Sequence, residues 1–89
     1  MAQAIANPDD IENFANHLRR FCDNLNDETN ALNSAFRALN DTWDDPKYQE
    51  FEEILRQLES FLQRFNTEAD EQEMWLRRKV SEIRTYLGR

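Results

Sequence analysis

Chemistry in a chain of 89 residues would have to come from one histidine, one cysteine or some of the eighteen acidic side chains. His17 stands alone, without nearby cysteines or a helical Glu-x-x-His pair, which makes a poor metal site. It falls beside Leu18, off the apolar column, and reads as a surface histidine. Cys22 has no second cysteine to bridge. It follows Phe21 at the edge of an apolar seam and reads as a small apolar filler. The acids could form general acid/base pairs or a carboxylate metal cluster. Most lie on outward helical positions, and no loop is long enough to bury them in a pocket. The expectation is no enzyme, no catalytic residue, no cofactor and no metal.

The segment "LRRKVSEIRTYLGR" carries five basic residues against one acid and raises the question of nucleic acid. A net charge of −7 opposes any general grip on phosphates, and no aromatic platform accompanies the basic residues. Acids near the start of the chain offer them partners instead.

What positions these residues is helix. Glycine occurs once and proline twice, at Pro8 and Pro46, too few turn residues for a β fold. Asn7 suits an N-cap, Pro8 the first helical position, and Asp9, Asp10 and Glu12 the positive end of the helix dipole. Ile11, Leu18, Leu25, Leu32 and Leu39 then recur every seven residues. Phe14 and Phe21 flank the first part of this column, giving a heptad seam. Glu28 interrupts the flank, which moves over to Phe36 and Trp43.

Asp44 or Asp45 can cap a second helix that starts at Pro46. Tyr48, Leu55, Leu62, Ala69, Leu76 and Ile83 again recur every seven. Phe51, Leu58 and Phe65 form a second column, and Ile54, Phe61 and Trp75 a third. Together these columns cover roughly 120° of the helix surface. The fold expected is all-α: one antiparallel two-helix hairpin spanning 1–89, with helices at about 8–41 and 46–87 and a turn at about 42–45. At about 1.5 Å per residue the helices are on the order of 50 and 60 Å long.

Charge supports the pairing. A fold about residues 43 and 44 sets Asp9, Asp10 and Glu12 against Arg77, Arg78 and Lys79. It sets Arg19 and Arg20 against Glu68, Asp70 and Glu71, and Arg37 against Glu50. Each exposed pair contributes only about 0–1 kcal/mol, but three sets in one register favour a hairpin over a rod.

Two helices that meet once hide a single seam, and the second helix is apolar over a wider arc than that. A lone hairpin leaves Ile54, Phe61 and part of the phenylalanine column in water. Covering them is worth several kcal/mol at about 25 cal/mol per Å². A second copy covers them most simply, giving a homodimeric four-helix bundle with Ile54, Phe61 and Trp75 on the dimer or partner face. No apolar run is long enough to span a membrane. The opening "MAQAIANPDD" lacks the pattern of a cleaved signal peptide. The protein is expected in the cytoplasm, or secreted without a cleavable signal.

The run "ALNDTWDDPKYQEF" puts Trp43 beside the helix break and Phe51 eight residues later. A leucine-rich helix, a tryptophan at the turn and an aromatic on the inner face of a second helix resemble the small WXG proteins of type VII secretion. The resemblance covers nearly the whole chain. It implies an antiparallel four-helix dimer, with Trp43 packed at the hairpin tip. It also implies a role as secretion substrate or partner subunit, meeting secretion-apparatus or effector proteins. Asp45 stands where that family has glycine. The family's export signal, a tyrosine with an acid four residues later beyond the second helix, does not follow Tyr86. Tyr48 and Glu52 have the spacing but lie beside the turn. The alternative reading is a cytosolic coiled-coil adaptor or chaperone whose apolar face shields a client helix.

Overall fold

In the computed structural model, which describes residues 6–88, two helices run antiparallel. Met1–Ile5, where the reading of the chain's start partly falls, lie outside the described residues, as does Arg89. Helix α1 spans Pro8–Arg37 and helix α2 spans Pro46–Tyr86, with a 3-10 turn at Ala38–Asp41 between them. The hairpin measures 63 × 23 × 17 Å, and no strand occurs among the described residues. Among the described residues no helix is long and apolar enough to cross a membrane.

Both helices start for reasons written into their first residues. The side chain of Asn7 accepts a hydrogen bond from the Asp9 amide at 2.8 Å, with Pro8 next in line. Asp45 does the same for the Lys47 amide at 2.8 Å, with Pro46 next. Each cap satisfies an amide that has no carbonyl partner inside the helix, and each proline fills a site where the missing N–H costs nothing. The α-helical pattern of α1 ends at Arg37 and tightens to 3-10 through Asp41.

The seam between the helices differs from the one drawn through the largest residues. Along α1 the buried positions are Pro8, Ala15 and Cys22, continued by half-buried Thr29, Phe36 and Trp43. This column lies four residues beyond the Ile11–Leu39 column, whose Ile11, Leu18 and Leu25 are half-buried and share the seam. Phe14, Phe21, Leu32 and Leu39 are exposed. The reason is steric. Ala15 and Cys22 let the backbones approach closely, whereas phenylalanines at those depths would hold the helices apart. On α2 the expected column does face α1: Leu62 and Ala69 are buried, and Tyr48, Leu55, Leu76 and Ile83 are half-buried. Val80 joins them.

The charge pairing holds at Arg19 and Asp70 and shifts elsewhere along α2. Arg19 meets Asp70 at 3.0 Å and Glu73 at 3.2 Å. Asp9 and Glu12 are met by Arg84, at 2.8 and 3.0 Å, rather than by Arg77, Arg78 or Lys79. Glu50 pairs with Lys47 of its own helix. A 3-10 turn advances about 2 Å per residue against about 1.5 Å in an α-helix. Over the four residues of the turn the difference is about 2 Å, roughly one residue of α2, and so a minor part of the shift.

Candidate interaction surface

The hairpin has two unlike sides. At 100° per residue, residues just to one side of the seam on α1 and on α2 point to the same side of an antiparallel pair. On one side these residues are polar. Asn66 donates to Asn26 at 2.8 Å, Arg77 donates to Asn16 at 3.1 Å, and Arg19 reaches Asp70. Glu73, half-buried, accepts from both Arg19 and Arg77. The Arg84 guanidinium, by hydrogen bond and by charge, holds the Glu12 carboxyl below its ordinary range. This side is bridged by its own network, although Arg19 Nε and Asn66 Oδ1 are buried without a partner.

The other side is apolar and open. Phe65, half-buried, meets Phe21 edge-on across the hairpin at 6.2 Å and stacks with Phe61 along α2 at 6.5 Å. Beside Phe65 lies a groove of about 480 Å³, lined chiefly by Phe14, Leu18, Ala69, Trp75 and Leu76. The three residues assigned to the partner face are all exposed in the single chain: Ile54 by 53%, Phe61 by 54% and Trp75 by 53%. Ile54 and Phe61 point to this side, and Trp75 forms the outer wall of the groove. Phe14, Phe21 and Leu32 extend the same surface onto α1, where they are exposed. Contiguous exposed apolar surface of this kind is a feature of interaction sites.

The tip is an aromatic cluster. Phe36 stacks on Tyr48 at 4.4 Å. Trp43, half-buried, stands edge-on to Tyr48 at 5.8 Å and tilted against Phe51 at 6.1 Å. Its indole N–H donates to Asp45 at 2.8 Å. That hydrogen bond, with the backbone amides of Lys47 and Tyr48, holds the Asp45 carboxyl below its ordinary range. Asp45 has φ −152° and ψ 171°, an extended conformation open to any residue, so this turn has no need of glycine there.

Cys22 is 1% exposed, and burial pushes its thiol pKa up. It is a seam residue rather than a reactive group. His17 is exposed, with its Nδ1 at 2.9 Å from Arg20. Among the described residues no three His, Cys, Asp or Glu side chains converge to hold a metal ion.

Sequence reasoning did not single out the groove. Its floor, Ala69, was visible as a seam position. The hollow exists because that one small residue interrupts a row of leucines and aromatics.

No protein-family model matches the chain, and no curated protein matches it either.

Proposed function

We propose that the protein is a non-enzymatic protein–protein interaction module. It works as a dimer whose paired hairpins complete a four-helix bundle, in the manner of the WXG-type helical hairpins it resembles. In that role it is a secretion substrate or a partner subunit, presenting a rigid helical surface to a secretion-apparatus or effector protein. The observation that supports this reading is the exposed apolar side formed by Phe14, Phe21, Ile54 and Phe61, opposite a side bridged by polar pairs across the hairpin. Such a two-sided hairpin is half of a bundle.

Recovery from the medium of intact source cells tests the export part. The chain should be present there without a cytosolic marker, together with whatever protein it carries.

A second reading is favoured by the groove beside Ala69: a cytosolic adaptor or chaperone that lays a client helix along the apolar side. In that case the chain stays in the cytoplasm, and a client copurifies from the cell lysate.

A further inference from the structure

The groove beside Ala69 has the form of a socket, and the same helix carries side chains that fit it. Phe65, Glu68, Ala69 and Gln72, all on the groove wall, stand at i, i+3, i+4 and i+7. These four positions form the hole that receives one side chain from a facing helix in knobs-into-holes packing. Gln72, Trp75 and Leu76 continue the wall and, with Lys79, form a second hole at the same spacing.

Two exposed knobs lie on the other half of α2. Phe61 is four residues before Phe65, and the Ala69 floor is four residues after it. Ile54 is eleven residues before Phe65, and Leu76 is eleven after it. Phe65 also sits at the middle of α2, Pro46–Tyr86, one residue from the Asn26–Asn66 bond across the hairpin. A surface whose knobs and holes are equidistant from one central residue is complementary to itself after a half-turn about that residue.

We infer that the groove is filled by a second copy of this chain, with α2 lying antiparallel on α2. Phe61 enters the hole floored by Ala69, and Ile54 enters the hole that contains Leu76. The inference rests on the dimeric reading above and assigns its register. Charge agrees with it. Glu50 stands one turn before Ile54, so the half-turn brings Glu50 of each copy to the level of Val80 of the other, beside Lys79. Glu50 already holds Lys47 of its own chain at 3.0 Å and has a second oxygen to offer. A parallel dimer would instead set α2 on α1 and leave the Phe61 knob facing the Glu28 region. The hairpin, 63 Å long and 23 Å across, has room for more than the roughly 800 Å² per partner of an ordinary stable interface.

Carbodiimide, which joins a lysine to a carboxylate in direct contact, tests this on the native chain. Glu50 and Lys79 of one molecule are separated by about 43 Å of helix, so a bond between them forms only between copies. The dimer band should yield the Glu50–Lys79 peptide on digestion. A dimer band in which Lys79 is joined only to Asp9, Asp10 or Glu12 overturns the register. A chain that sediments as a monomer overturns the dimeric reading itself, which keeps the two failures apart. As a second check, Gln72→Trp fills the hole from its exposed wall. Dimerisation should weaken at least about tenfold, as overpacking predicts, with helix content retained. An unchanged dimer constant with retained helicity places the knob elsewhere.

Discussion

The Trp43 indole donates to one oxygen of the Asp45 carboxylate at 2.8 Å, while the other oxygen caps α2 through the Lys47 amide. One side chain thus starts the second helix and fixes the tryptophan that closes the tip. Asp45→Ala removes both bonds. It should lower the melting temperature and shift Trp43 emission to the red in a Trp75→Phe background. Asp45→Asn, which keeps one acceptor oxygen, can hold only one of the two bonds and should fall between the parent and Asp45→Ala.

Trp43→Ala should destabilise the hairpin by about 2–3 kcal/mol. The figure lies below the ~3–5 kcal/mol of a fully buried large aromatic, because Trp43 is only half-buried against Tyr48 and Phe51. Chemical denaturation measures it. A loss near zero would mean that the indole contributes nothing to folding.

Glu12 and Asp45 both ionise more readily in the folded chain than in the unfolded one. A depressed folded pKa means that the folded state holds fewer protons, so stability falls as those protons are forced on. Their contribution is complete above the ordinary carboxylate range of about 4 and is lost as pH falls through and below it. Melting curves of the native chain and of Glu12→Gln should therefore lie apart at pH 7 and converge toward pH 2.

Cys22, buried in the seam between the helices, should react with iodoacetamide only as the hairpin opens. Its labelling rate should rise with urea in step with the loss of helix. Cys22→Leu should cost about 1–3 kcal/mol, the usual range for overpacking a filled core. Phe21→Leu, one residue earlier and exposed, should leave the isolated hairpin nearly unchanged.

The contrast between those two neighbours shows what the sequence makes legible. Caps and breaks were readable because Asn7, Pro8, Asp45 and Pro46 act through their own backbone geometry. The α2 column was readable because Leu55, Leu62 and Leu76 are large and regularly spaced. The α1 seam was readable only in part, because Ala15 and Cys22 matter for being small. The periodicity of large residues found the half-buried Ile11, Leu18 and Leu25 but took the exposed Phe14 and Phe21 for their companions in the seam. Likewise the exposed residues Ile54, Phe61 and Trp75 were visible as excess apolar width. The hollow that Ala69 leaves beside them depends on packing in three dimensions.

Sedimentation equilibrium at micromolar concentration tests most directly whether the apolar side belongs to a second hairpin. The native chain should give about twice its mass of 10.7 kDa. Phe61→Asp, which places a charge in the covered surface, should give the single-chain mass with marked loss of stability. A native chain that remains a monomer and unfolds cooperatively, or a Phe61→Asp dimer as stable as the parent, would contradict the account.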